Sequence, residues 1–225
     1  MKKLFILMMA LVLSIALNAQ NLQVHYDFGK DRGYITSTLE MFRPDKLGST
    51  FFFVDMNYHV DGQKGVNLAY WEIAREFNIG KTPLAAHIEY NGGLFSYKVA
   101  ENSYGVPFHD AGLLGIDYIY NNNDFSRGFT LQLLYKYIKD VHDVSFQITG
   151  VWYMHMLNRK LTFSGFADFW KEETINGNYI FLTEPQLWYN FNKTISVGSE
   201  VEMSVNFAGQ DGFKICPTAA VKWTF

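Results

Sequence analysis

The sequence predicts an all-β fold, an antiparallel transmembrane β-barrel of about twelve strands behind an N-terminal signal peptide. Three observations predict it. Segments of about ten residues alternate apolar and polar side chains, with turn chemistry between them. Aromatic residues make up 17% of the chain, with 20 Phe and 14 Tyr, as in barrels girdled by aromatics. The closing stretch from Gly212 sets Phe213, Ile215, Val221, Trp223 and Phe225 on one phase and Lys214, Thr218, Lys222 and Thr224 on the other. Period-two alternation over that length is a strand with one greasy face.

The start of the chain sets the compartment. Lys2 and Lys3 precede an apolar run from Leu4 to Ile15, and the small residue Ala19 closes the segment. That is the pattern of a secretory signal peptide cleaved after Ala19. A membrane-spanning helix needs roughly 18 or more apolar residues, more than this run offers. Removing Lys2 and Lys3 leaves 17 basic and 22 acidic residues, a net charge of −5, which argues against a nucleic-acid surface. The single cysteine, Cys216, forbids an intrachain disulfide. The expected organisation is a signal peptide at 1–19 and one barrel at 20–225.

The strands follow in order. The first, 22–28, places Leu22, Val24, Tyr26 and Phe28 opposite Gln23, His25 and Asp27. The second is 34–43. In the third, 49–58, Phe52, Val54, Met56 and Tyr58 oppose Phe51, Phe53, Asp55 and Asn57. The fourth, 66–76, sets Trp71 and Ile73 against Tyr70 and Glu72, and the fifth, 84–91, sets Ile88 and Tyr90 against His87 and Glu89. Residues 92–109, with two Gly-containing kinks and Pro107, read as the one long connection. Segments at 111–120, 127–138, 143–155, 160–171, 179–191 and 194–206 lead to the terminal strand.

An even count leaves both chain ends on the periplasmic side. Turns near 44–48, 77–83, 121–126, 157–159 and 191–193 are then periplasmic, and the longest connection faces outward. A soluble β-sandwich also alternates, but it would have to bury all these aromatics in a layer about 10 Å thick. A barrel presents them to lipid. The aromatic end at Phe225 resembles the terminal strand of bacterial outer-membrane barrels, which implies barrel-assembly machinery as a partner.

With the apolar phase outward, the polar phase lines the interior, and its charges are mostly acidic. Glu40, Asp55, Glu72 and Glu89 fall on four successive strands near mid-height, with Phe51, Phe53 and Tyr70 interleaved and Trp170 and Trp188 further round. Carboxylate acceptors beside aromatic faces suit a ligand with hydroxyls and a flat ring. They equally suit a polar network that fills a narrow lumen, and both readings stay open. His25 with Asp27 and His87 with Glu89 are same-face pairs, the base half of a nucleophilic site. No serine is marked out beside them, and His142 and His155 lack a same-strand carboxylate. No His/Cys ligand spacing and no Gly-rich phosphate loop is present, so neither a metal nor a cofactor is expected.

Between Thr36 and Gly80 lie Leu39-Glu40-Met41-Phe42-Arg43, Gly48-Ser49-Thr50-Phe51-Phe52-Phe53-Val54-Asp55 and Tyr70-Trp71-Glu72-Ile73-Ala74-Arg75-Glu76. Over about residues 34–90 this resembles the nucleoside-specific channel (Tsx-like) family and its relatives in Bacteroidetes-type bacteria. The resemblance implies a twelve-stranded outer-membrane barrel with Glu40, Phe53, Asp55 and Glu72 facing the lumen.

The expectation is thus a monomeric outer-membrane channel for passive diffusion of small polar solutes, with nucleosides as the solute the resemblance implies. Its expected lumen or ligand positions are Glu40, Phe53, Asp55, Tyr70, Glu72, His87 and Glu89, and no residue is expected to be catalytic. A lipid-modifying enzyme and a plugged structural barrel are the alternatives.

Overall fold

A computed structural model describes residues 20–60, 63–108, 110–141 and 143–225; the expected signal peptide and His142 lie outside them. The strands are β1 (Gln20–Asp27), β2 (Ile35–Pro44), β3 (Gly48–Tyr58), β4 (Val66–Asn78), β5 (Leu84–Val99), β6 (Asn102–Pro107) and β7 (Ala111–Asn121). They continue with β8 (Arg127–Ile138), β9 (Ser145–Met156), β10 (Leu161–Thr174), β11 (Gly177–Thr183), β12 (Gln186–Asn190), β13 (Ile195–Val205) and β14 (Phe213–Thr224). No helix among the described residues is long and apolar enough to cross a membrane.

All pairings are antiparallel, and the sheet closes because β1 pairs with both β2 and β14 while β9 pairs with β10. β11 and β12 lie between the same neighbours, β10 and β13, and form one strand interrupted at Glu184–Pro185. β6 pairs with β5 alone and stands outside the ring. The barrel therefore has twelve staves, as the alternation predicts. Closure leaves the ring itself no open edge, the condition for a sheet to satisfy its backbone in lipid.

The interruption follows from the chain chemistry. Pro185 has no N–H to give the ladder, but its carbonyl still accepts from Val201 N at 3.0 Å, and Glu184 N donates to Phe166 O at 3.1 Å. Gly165 faces this point with φ +153, where a Cβ would stand 2.9 Å from Pro185 Cα. Only glycine fits that close approach.

The inside–outside assignment is sharp. Leu113 is 2% exposed and its neighbour Leu114 is 62% exposed. Val24, Tyr26 and Phe28 are exposed, whereas Gln23, His25 and Asp27 are buried. The outward rows form an apolar belt with aromatics towards both rims, among them Phe169 stacked on Tyr179 at 5.6 Å and Tyr189 edge-on to Phe191 at 5.1 Å. Short connections at 45–47, 79–83, 122–126, 157–160 and 191–194 share an end with the termini, here called periplasmic.

Two expectations change. The stretch expected as a connection at 92–109 is no open loop over 92–107: β5 runs on to Val99 and pairs with β6 from Leu94↔Pro107 to Val99↔Asn102. Gly92 and Gly93 stay in the ladder opposite Trp71 and Tyr70, and Tyr97 stacks on Tyr104 at 5.6 Å across the hairpin. Their lack of a side chain, which reads as a kink, is no obstacle to an extended backbone with partners on both sides. Nor is the inner wall uniformly polar. Leu113, Leu134 and Ile138 cluster on β7 and β8, and Trp170, Ile180 and Leu182 cluster on β10 and β11. A narrow barrel must fill its interior with side chains, and apolar ones fill it without needing partners.

Candidate functional site

The candidate site is the inner wall of β2 to β5, faced across the lumen by β10 to β13. Ladder register fixes the heights. Glu40, Phe53 and Glu72 share one rung, since Phe53 is opposite both Glu40 and Glu72. Asp55 and Tyr70 are opposite each other one rung outward. Glu89, opposite Ala74, shares the rung below with Phe51. Period two sends all of these side chains inward. The sequence-predicted positions therefore do come together, as a zigzag rather than a level arc.

Their surroundings differ. Glu40, Phe53, Asp55, Tyr70 and Glu72 are half-buried, while His87 is 1% exposed and Glu89 9% exposed. The first group faces the lumen, and the second is sealed into the wall. Glu40, Asp55 and Glu72 each accept from a neutral donor. Asn21 Nδ2 donates to Glu40 at 3.0 Å, Thr38 Oγ1 to Asp55 at 2.5 Å and Tyr70 Oη to Glu72 at 2.7 Å. Across the lumen, Thr149 Oγ1 donates to Asp168 at 2.5 Å and Gln186 Nε2 to Glu200 at 2.6 Å. Glu184 lies within Coulombic reach of Glu200, Asp55 and Asp168, so carboxylates from both walls share one field.

Lys136 and Lys222 share that field without bonding its carboxylates. Among the described residues, none of Glu40, Asp55, Glu72, Asp168 or Glu184 has a Lys, Arg or His nitrogen within 4.0 Å. Lys136 donates to Gln147 Oε1 at 2.9 Å and rests 4.5 Å from the Trp170 ring centre, and Lys222 stands 3.9 Å from that of Trp188. Both ammonium groups sit on ring faces instead of on carboxylates. Arg32, on the outer connection 28–34, does pair: its Nη1 meets Asp27 and Glu202, each at 2.9 Å.

An aromatic ladder climbs the same wall. Phe51, Phe53, Tyr70, Phe108 and Phe95 follow one another at centroid distances of 5.9, 5.9, 6.2 and 5.6 Å. Phe108 comes from the segment after β6, whose amide donates to Gly93 O at 2.9 Å, and its ring occupies the space a Gly93 Cβ would take. Sequence reasoning finds the lower three rings by phase. It misses Phe108 and Arg32, because a residue on a connection has no phase to read.

The histidine pairs separate as well. His25 does not meet Asp27: its Nδ1 contacts Thr218 Oγ1 at 3.1 Å and its Nε2 Gln23 Oε1 at 3.0 Å, while Asp27 is held by Arg32 and the Gly29 amide. His87 does meet Glu89, Nε2 to Oε2 at 3.1 Å, and its Nδ1 meets Asp117 Oδ2 at 2.8 Å. Asp117, on a neighbouring strand, is not marked by the sequence. Cys216 is buried, as its inward phase implies.

Among solved structures, the chain is similar to "KdgM porin" and to "KdgM porin in complex with disordered oligogalacturonate". Each likeness is at 12% identity and TM-score 0.53 and covers 91% of this chain and 99% of the other. It also matches the outer-membrane protein Omp33 of Acinetobacter baumannii at 12% identity and TM-score 0.47, over 93% of this chain and 100% of that one. No curated protein matches. At such identities the likeness is one of fold, and the agreement with the Tsx-like resemblance is at the level of the barrel. A closed barrel of this fold with an outward apolar belt is an outer-membrane protein. The family model described as "Domain of unknown function (DUF5020)" matches residues 19–225, and the chain belongs to that family.

Proposed function

We propose that the barrel is a monomeric passive channel of the bacterial outer membrane for small polar solutes that carry a flat ring and are neutral or cationic. The observation that supports this reading is the ladder Phe51–Phe53–Tyr70–Phe108, with Asp55 and Glu72 set between its rings on the lumen face. Rings give a moving solute a succession of weak stacking partners, and carboxylates accept from its hydroxyls or amines; weak sites in series suit conduction. Glu40, Phe53, Asp55, Tyr70 and Glu72 would touch the solute. His87 and Glu89 would act from within the wall.

The charge narrows the class. Carboxylates without cationic partners repel polyanions, so an oligogalacturonate, the ligand named with the KdgM porin complex, is a poor fit here. A nucleoside, the solute implied by the Tsx-like resemblance, fits better: its base would lie on the rings and its ribose hydroxyls would donate to Asp55 and Glu72. Planar-bilayer recording with purified protein tests the reading. It requires cation-selective conductance that nucleosides reduce by transient block; a barrel that conducts no ions and admits no solute into liposomes would sink it.

A further inference from the structure

The geometry points to a divalent-cation site in the periplasmic half of the wall, built by Glu76 of β4, His87 of β5 and Asp117 of β7, with Glu89 beside them. It goes beyond the channel reading and does not depend on it. Adjacent strands bring the residues together: Glu76 is opposite His87, and Asp117 is opposite Ala85, two residues below His87 on the same face. One ligand atom from each of Glu76, His87 and Asp117 lies within 4.8 Å of the others. Glu76 is half-buried, and His87 and Asp117 are 1% and 0% exposed.

The cluster carries more negative charge than its partners offset. Three carboxylates surround one imidazole, and even a fully protonated His87 would leave two negative charges. No lysine or arginine among the described residues lies within 4.0 Å of Glu76, Glu89 or Asp117. Ser49 Oγ donates to Glu76 Oε2 at 2.5 Å, the one neutral donor to these carboxylates among the described residues. A second, independent observation concerns single atoms. Asp117 Oδ1 and Glu89 Oε1 are both fully buried and have no hydrogen-bond partner among the described residues. A buried carboxylate oxygen left without a donor is costly. Glu76 and Asp117 each bring a carboxylate oxygen within 4.8 Å of the other, although both are acceptors when ionised. Something positive belongs between them.

One imidazole nitrogen with two or three carboxylate oxygens is a donor set for Zn²⁺ or a similar transition ion rather than for Ca²⁺ or Mg²⁺, which prefer all-oxygen shells. Zn²⁺ ligands at about 2.0–2.2 Å stand roughly 3.2–3.6 Å apart in tetrahedral geometry, inside the 4.8 Å within which these three ligand atoms lie. Glu89, bonded to His87 Nε2, would orient the imidazole so that Nδ1 faces the ion, the usual carboxylate–histidine support. Bound there, the ion would tie β4, β5 and β7 together across the wall.

The test uses the folded, detergent-purified barrel, freed of metal with EDTA and then titrated with Zn²⁺ in a calorimeter and with Co²⁺ by visible absorption. The expected result is one ion per barrel, a tetrahedral or five-coordinate Co²⁺ spectrum, and a raised heat-modifiability midpoint that EDTA reverses. Asp117→Asn and His87→Gln should each weaken binding at least tenfold, while Asp124→Asn, which removes an exposed carboxylate of the 122–126 turn, should leave it unchanged. If either cluster variant fails to fold, Glu76→Gln serves in its place. No stoichiometric binding by the folded wild type overturns the proposal, as does loss of binding in Asp124→Asn to the same degree. So does a wild type that is indifferent to Zn²⁺ while Asp117→Asn is simply more stable, for the cluster then holds only a shared proton.

Discussion

The Phe108 ring stands edge-on to that of Tyr70, 6.2 Å between centroids at an interplanar angle of 76°. One residue follows the extramural β6 strand and the other lies on the inner face of β4, so their meeting carries the aromatic ladder from mid-barrel to the outer hairpin. Gly93 permits it, since the Phe108 ring lies where a Gly93 Cβ would be.

Gly93→Ala should therefore push Phe108 off Tyr70 and, with its Cβ 2.7 Å from the Ala69 carbonyl oxygen, also strain the neighbouring β4 backbone. Stacking of one base on an aromatic ring is worth about 1–3 kcal/mol, and tenfold in affinity is roughly 1.4 kcal/mol. The expected outcome is nucleoside block weakened about tenfold in bilayer recordings, with unaltered single-channel conductance in the absence of solute. Phe53→Ala should weaken block by a similar factor from lower in the barrel. Equal block in all three proteins would show that the ladder does not touch the solute.

Neutralising the lumen by Asp55→Asn, Glu72→Gln and Glu200→Gln together should collapse the cation preference, read as the reversal potential in a salt gradient. The preference itself should fade in high salt, since the Debye length falls from about 10 Å at 0.1 M to about 3 Å at 1 M. A triple variant as cation-selective as the wild type would place the selectivity elsewhere.

Asp45 and Arg75 form a fork-shaped pair at the periplasmic rim, with Arg75 Nη1 2.7 Å and Nη2 2.9 Å from the Asp45 oxygens. The Arg75 hydrogen bond, helped by the Leu47 amide, holds the Asp45 carboxyl down at about 2. A lowered folded value means stability that is present above the unfolded carboxyl range near 4 and lost as pH falls through about 2. Heat-modifiability midpoints of wild type and Asp45→Asn should differ slightly at pH 7, given the exposure of the pair, and converge below pH 2. A difference that persists into strong acid would mean the pair is not its source.

Phe225 donates its amide to Gln20 O at 3.1 Å and lies 4.8 Å from Trp223, so the last residue sits on the β14–β1 seam. Deleting it should lower the amount of folded barrel in the outer membrane several-fold while leaving purified, refolded protein nearly as heat-stable as wild type. Equal amounts in cells would argue that assembly does not read this residue.

Legibility in the sequence followed the strands. Val24 and Val221 against Gln23 and Lys222 could be sorted by parity alone, because one residue along a strand reverses the face. Glu40, Asp55 and Glu72 were found the same way. Residues 92–109 were misread because glycines and a proline look like loop signals whether or not a partner strand lies alongside. Asp117 escaped notice because nothing within β7 says which residue of β5 it will face. His25 and Asp27 share a face, but Arg32 reaches in from the connection and takes the carboxylate.

The sequence by itself determined that this chain closes into a twelve-stave barrel with a greasy outside and an acidic inside, since alternation and turn chemistry are local properties of a strand. Only the tertiary structure decided which inward residues meet. Register, the inward turn of a connection and the distance across the lumen are relations between segments far apart in the chain. Those relations set Phe108 on Tyr70, left the mid-lumen carboxylates without a bonded lysine or arginine, and gathered Glu76, His87 and Asp117 into one cluster.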